Sequence, residues 1–383
     1  MTHTPKEKQI LGRLFRHGPA TRAALADALG WRRNTVGDLC RELLEARALE
    51  VLDGEKARNV RLAVRPDLFY ALGVRHTREG FRIALMNAAA QVVFEHDLPV
   101  TETDGVARCM VLAAALRRVL EQRSVPPGAV IGIGFGAHGI VDPARGVGVR
   151  SAHIPGWDNI PVREILHRET GLAVSLAGFT DAIAMLELRA AEPAWGTALC
   201  LWLNRSIGMS VFLDGEQLRG NHPVFAEIGH VVLEPGGRIC RCGNRGCLET
   251  VASVGAIVAR VAQGVRQGAE FRCGGEDISI EDVIANAKHG NKLALRVLEE
   301  AGRAVGRALA IAVNLFGISN VLLMGELTAC DDIVLGPIRE AVRRDCVAPM
   351  NLDVSYRVTP RPQAGVAAGA AYLAFLRYFA EAS

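Results

Sequence analysis

The segment Glu227–Glu249, EIGHVVLEPGGRICRCGNRGCLE, gathers one imidazole and three thiols: His230, Cys240, Cys242 and Cys247. Thiolate sulfur and imidazole nitrogen suit a borderline-soft ion. Four such ligands leave no position for water, so the set predicts a closed, structural zinc site. Gly243 and Gly246 let the loop curl until the three sulfurs converge. The task of such a site would be to fix the two carboxylates that bracket it, Glu227 and Glu249. The nine cysteines are an odd number, and the opening MTHTPKEKQILGRLFRHG carries no apolar signal core. Both features argue against a disulfide framework and for a cytoplasmic protein. A third carboxylate, Asp181, precedes the apolar run AIAMLEL and on spacing alone reads as a helix cap.

A second chemistry is basic. Residues 1–66 hold 13 Lys or Arg against 8 Asp or Glu, five net positive charges, while the remainder sums to −2. Such a head on a near-neutral body suggests binding to nucleic acid. Helical spacing of Ile10, Leu11, Leu14 and Phe15 predicts a first helix over 6–17. Thr21 caps a second, TRAALADAL, which turns at Gly30, and a third runs from Arg32 to Ala46. LEVLDGEKARNVRLAV then reads as two strands joined around Asp53-Gly54. Three helices and a basic hairpin describe a winged helix-turn-helix. The third helix opens with Arg32, Arg33, Asn34 and Thr35, side chains that pair with guanine, adenine and phosphate, and Arg41 lies on a similar face. Lys56 and Arg58 on the hairpin would reach phosphates or a minor groove. A helix-turn-helix with solvated arginines can also serve as a protein-docking domain, and charge alone leaves both open.

The elements that must position these groups follow from Phe69 onward. An apolar meander leads into a helix over Gly105–Arg123 and a buried strand, Val130–Gly136. Strand-like runs at 172–178, 198–204, 209–215 and 320–326 alternate with helices near 253–268, 279–289, 291–315 and 365–380. That alternation predicts α/β architecture with mixed sheets. In 383 residues, 50% apolar and 22% charged, it fits two lobes with a ligand cleft between them and no membrane span. The expected organisation is a head over 1–66 and a body over 67–383. The body's first lobe covers about 67–185 plus 365–383, and its second about 186–364, with the metal loop at 227–249.

The segment from Glu227 to Glu249 resembles the signature of the ROK family of repressors and sugar kinases, with acid, histidine, cysteines, glycines and closing glutamate at the family's spacing. GIGFGAHGIVDP, HIPGWDNIPVREIL and the head extend the likeness over nearly the whole chain. The resemblance implies a two-lobed, actin-like ATPase fold with mixed sheets, a zinc loop and a sugar pocket. It assigns His153, Thr180, Asp181, Glu227, His230 and Glu249 as sugar ligands. In the family's kinases an Asn-Asp pair stands where this chain has Thr180-Asp181, and that aspartate activates the sugar hydroxyl.

The departures bear on activity. Where family kinases carry an Asp-x-Gly-Gly-Thr phosphate turn, this chain has Arg75, His76 and Thr77. The second phosphate loop reads Asn204-Arg205-Ser206-Ile207-Gly208, and the late double glycine reads Gly325-Glu326. Bulky turns cannot bring their amides as close to a phosphate. The expected function is therefore a DNA-binding transcriptional regulator, a repressor of carbohydrate uptake or catabolism genes. Its operator DNA binding would answer to a sugar or sugar phosphate, with Zn2+ as a structural ion, no ATP and no catalysis. A homodimer or dimer of dimers would match a pseudo-palindromic site. The alternatives are a ROK sugar kinase with an appended head, for which Asp181 is the main support, and a DNA-binding architectural factor that answers to no ligand.

Overall fold

Thr4 and Glu7 start the first helix reciprocally: the Thr4 hydroxyl accepts from the Glu7 N–H, and the Glu7 carboxylate accepts from the Thr4 N–H at 2.7 Å. The computed structural model describes residues 3–52, 60–126, 128–151, 154–190, 195–359 and 365–380. Its head comprises α1 (Pro5–His17), β1 (Ala20–Thr21), α2 (Arg22–Leu29), α3 (Arg33–Glu45), β2 (Leu49–Val51) and β3 (Arg61–Val64). The Thr21 hydroxyl caps α2, and Gly30 ends it at φ +68°. β3 lies between β1 and β2, antiparallel to both. The tip of the predicted hairpin, residues 53–59 with Lys56 and Arg58, lies outside the described residues.

Two compact units account for the chain, one of Met1–Ala190 with Ala364–Ser383, the other of Ala191–Gln363. The first contains the head together with β4 (Tyr70–His76), β5 (Gly80–Asn87), β6 (Val92–Pro99), α4 (Gly105–Gln122) and β7 (Val130–Ala137). It continues through β8 (Ile140–Asp142), β9 (Val147–Arg150), β10 (Asp158–Ile160), α5 (Val162–Thr170), β11 (Val174–Gly178) and α6 (Phe179–Ala190). The second unit contains β12 (Ala198–Leu203), β13 (Ile207–Leu213), β14 (Glu216–Gln217), α7 (Glu249–Ala252), α8 (Val254–Arg266), α9 (Ile280–Lys288) and α10 (Lys292–Phe316). β15 (Asn320–Met324), α11 (Asp332–Asp345) and β16 (Ser355–Thr359) complete it, and α12 (Gly365–Ala380) returns to the first unit.

Each unit is built on a five-stranded mixed sheet, and the two sheets share one topology. Read from the meander edge, the orders are β6-β5-β4-β7-β11 and β14-β13-β12-β15-β16. In both, the first three strands pair antiparallel and the last three parallel. The architecture is thus a duplicated α/β layer, as the alternation of strands and helices predicts. No helix of the described residues is long and apolar enough to cross a membrane.

α12 binds the first unit together. Its small residues let it lie directly on the sheet: a Cβ on Gly134 of β7 would stand 1.6 Å from the Ala370 carbonyl oxygen. Its other side belongs to the head. Phe15 of α1 stacks on Phe375 and Tyr372, with ring centroids 4.4 and 5.1 Å away, and Arg189 of α6 donates to the Phe15 carbonyl. One buried cluster accordingly runs from Ile10, Phe15 and Leu43 through Phe69 and Met86 to Phe375.

Candidate functional site

The segment after β14 has little regular structure and is held by reciprocal backbone contacts. Leu233 and Glu234 N–H donate to the Gly246 carbonyl, Gly246 N–H to Arg238, and Leu248 N–H to Val231. Gly246 lies so close to this return strand that a Cβ would stand 1.7 Å from the Glu234 oxygen, at φ +73°. No other residue fits there. The fold-back brings His230, Cys240, Cys242 and Cys247 together, with one ligand atom of each within 4.8 Å of all the others. Cys240 Sγ is 3.6 Å from His230 Nδ1, and Cys242 Sγ is 3.6 Å from Cys247 Sγ. Tetrahedral coordination with metal–sulfur bonds near 2.3 Å needs sulfurs about 3.8 Å apart, so the cluster has the dimensions to hold one ion.

The charges of the cluster favour a cation in the same way. Burial, with the other two thiols, pushes the Cys247 thiol up to about 12, and burial raises Cys240. For Cys242 burial acts upward as well. The Asn244 N–H and the neighbouring thiols outweigh it and lower the pKa. Three thiolates cannot crowd together uncompensated, and a divalent ion supplies the compensation.

The two carboxylates flank this cluster within the second unit. Glu227 stands at the start of a short 3-10 turn, Ile228–His230, which packs on β13 so closely that a Cβ on Gly229 would meet the Ile207 oxygen at 2.3 Å. Glu249 opens α7 two residues after Cys247, and its Oε2 accepts from the Ile207 N–H at 3.2 Å. Thr180 and Asp181 belong to the first unit. Both lie inside the first turn of α6, so Asp181 is a first-turn acid and not the cap residue that its spacing suggests. Thr180 is buried. His153 lies outside the described residues.

At the turn between β4 and β5 the structure shows what occupies the place of a phosphate cradle. Thr77 uses both its N–H and its hydroxyl on the Gly80 carbonyl. Arg108 of α4, only 3% exposed, donates to the carbonyls of Thr77 and Arg78 from one side and of Val100 and Glu102 from the other. The turn is thus locked on a built-in cation. Beside it His76, 1% exposed, packs against Trp157 with ring centroids 3.9 Å apart, and neither imidazole nitrogen has a hydrogen-bond partner among the described residues. Sequence reasoning saw that Arg75, His76 and Thr77 replace the family's phosphate turn but missed Arg108. Its partner carbonyls lie up to 31 positions away, and no local pattern announces them.

In the head, Arg32, Arg33 and Asn34 are exposed at the start of α3 and Thr35 is half-buried. Arg32 caps the helix without a side-chain hydrogen bond. Arg41 is exposed and pairs with Asp38 at 2.6 Å.

A family model described as ROK family matches residues 71–376. The chain belongs to the ROK family. Among ROK proteins it is similar to the DNA-binding transcriptional repressor Mlc of Escherichia coli strain K12, 26% identical over 92% of this chain and 89% of that one. It is also similar to a solved ROK family transcriptional regulator described as a homologue of E. coli Mlc. That match has a TM-score of 0.85 at 25% identity and covers 99% of both chains. A ROK hexokinase from Thermus thermophilus, 27% identical, matches with a TM-score of 0.66 over 80% of this chain and 98% of its own. The mixed sheets and the actin-like architecture are those of the ROK fold. The regulator accounts for the whole chain, whereas the kinase leaves a fifth of it unmatched.

Proposed function

We propose that this ROK protein is a DNA-binding transcriptional regulator, a repressor of carbohydrate genes, whose operator affinity is set by a sugar or sugar derivative. The observation that carries the reading is the end-to-end match to a ROK regulator, against a kinase match that ends a fifth short. The closed turn at Thr77–Gly80, pinned through its carbonyls by Arg108, supports it, because the Thr77 N–H is spent inside the turn and is not offered to a nucleotide. The organisation that goes with it is a winged helix-turn-helix head over 1–66 and an effector-sensing body over 67–383, whose lobes are about 67–185 plus 365–383 and about 186–364.

Arg32, Arg33, Asn34 and Thr35 read base edges from α3, and Arg41, Lys56 and Arg58 contact the DNA backbone. His153, Thr180, Asp181, Glu227, His230 and Glu249 are the effector ligands. Carboxylates accept from sugar hydroxyls, and a wrong sugar would leave them unpaired. His230, Cys240, Cys242 and Cys247 hold one structural Zn2+, which keeps Glu227 and Glu249 in position without taking part in chemistry. A homodimer, alone or paired, presents two recognition helices to a pseudo-palindrome.

The test is selection of genomic DNA fragments by the purified protein at fixed moderate salt, followed by sequencing of the bound fraction. Enrichment of one palindromic site beside sugar transport or catabolic genes is expected. Uniform recovery would remove the regulator reading, since phosphate-only binding weakens with salt and carries no sequence preference.

A further inference from the structure

The metal loop carries three sulfurs in unequal surroundings. Cys240 and Cys247 are buried, at 4% and 0% exposure, while Cys242 is exposed. The exposed sulfur lies 3.6 Å from Cys247 Sγ, and Cys240 Sγ lies 3.6 Å from His230 Nδ1 and within 4.8 Å of both other sulfurs. A disulfide bond is about 2.05 Å long, so the pair needs an approach of roughly 1.5 Å. The backbone allows it on one side only. Cys247 is anchored by its bridge to Val232 and by the wedged Gly246 before it. Cys242 precedes Gly243, which has φ +98° and open space around it. Outside the cluster, Cys273 is the one other exposed cysteine.

From this geometry we propose that the metal loop is an oxidation site. A peroxide-class oxidant reacts with Cys242, and a Cys242–Cys247 disulfide forms with release of the ion. The proposal rests on the metal-centre reading given above. In the first step the Cys242 sulfur attacks a peroxide oxygen and the O–O bond breaks. Cysteine sulfenic acid forms, and the second oxygen leaves as water once protonated. In the second step the Cys247 sulfur attacks the sulfenic sulfur. The S–O bond breaks, the S–S bond forms and a second water departs. The two thiols lose two electrons, and hydrogen peroxide gains them as it becomes two waters. His230 and Cys240 alone cannot retain the ion. Without the ion, the segment between Glu227 and Glu249 loosens, so effector control yields to the oxidant.

The experiment uses the full chain after its metal content is measured. A chain purified without an ion would overturn the metal-centre reading itself, before any oxidant is added. The loaded protein is then treated with hydrogen peroxide, and zinc release is followed with a chromogenic chelator. Free thiols are alkylated, and the chain is cut with trypsin. Cleavage after Arg238, Arg241 and Arg245 puts each of the three cysteines on its own peptide, so the cross-link is read without ambiguity. The expected result is one zinc released per chain in step with a Cys242–Cys247 cross-link, and recovery after dithiothreitol and added zinc. Cys273→Ser should release zinc at the unaltered rate. The proposal fails if zinc is retained while Cys273 is oxidised, if the cross-link joins Cys240 to Cys242, or if release follows loss of helical circular dichroism.

Discussion

His76 is the clearest case of a residue whose chemistry is set by its packing. Burial, and then the positive charges of Arg108 and His138, hold its imidazole well below the ordinary range, so the folded chain keeps it neutral. The unfolded chain protonates it near pH 6.5, so the folded state is fully favoured above that pH. Stability is lost as pH falls from 6.5 toward the depressed native value, by up to about 1.4 kcal/mol per pH unit. His76→Leu should be near neutral at pH 7.5, because both ring nitrogens lack partners, and should flatten the decline. Urea unfolding at pH 7.5 and 5.5 measures this, and parallel losses in the two proteins would refute it. The metal ligands give a second pH dependence. Burial and the other thiols hold Cys247 up to about 12, and burial raises Cys240, so binding an ion must expel at least two protons. Zinc affinity should fall by about 100-fold or more per pH unit below neutrality, measurable by chelator competition. The two cases differ in legibility. His230 and the cysteines are legible in sequence because one loop carries them all. His76 and Arg108 take their meaning from Trp157 and from carbonyls on other elements, which no spacing encodes.

Elements were legible where their periodicity is strong and their ends are capped. α1 and α10 fall within a residue or two of their predicted bounds, as do the core strands β7 and β12. α11 was missed: Pro337 inside DIVLGPIREAVRRD reads as a breaker, yet the helix continues through it. The small sheet of β8, β9 and β10 was missed because its strands have three or four residues and no alternation to detect. The α3 helix allows a graded prediction. Arg33→Ala and Asn34→Ala, exposed and with no side-chain hydrogen bond to the fold among the described residues, should each cost about 1–3 kcal/mol of operator binding and relax preference at one base position. Arg41 must first leave Asp38, an exposed pair worth at most about 1 kcal/mol. Arg41→Ala should therefore weaken binding evenly across sequences and reduce its salt slope by about one. Fluorescence anisotropy on operator and scrambled DNA separates the two patterns. The α1–α12 seam makes a different demand. Phe15→Ala removes a side chain stacked on Tyr372 and Phe375 and should cost about 3–5 kcal/mol of stability, read by thermal or urea unfolding.

At the scale of the whole molecule, regulation requires that an effector prefer one state of the protein over another. Moving operator occupancy from 99% to 1% needs a preference of about 5.5 kcal/mol. Hydrogen bonds from hydroxyls to carboxylates contribute roughly 1.5–3 kcal/mol each, so about two to four of them suffice. Glu249 is the most informative of the proposed ligands because its second role is known. Its Oε2 accepts from the Ile207 N–H, and a glutamine can keep that bond while losing the charge. Glu249→Gln should therefore fold, carry its metal and bind operator normally in the absence of sugar. Its effector titration should shift by roughly 10–100-fold, the equivalent of one charged hydrogen bond. The titration is run with operator DNA against a panel of free and phosphorylated sugars. A variant that also lost operator affinity without sugar would show that Glu249 acts through the fold. A variant with an unchanged titration would remove it from the effector site. Asp181→Asn provides the complementary control, because a kinase would lose sugar-dependent ATP consumption with that change, whereas the regulator has none to lose. ATP turnover in the parent chain that disappears in Asp181→Asn would return the protein to the kinases despite its head.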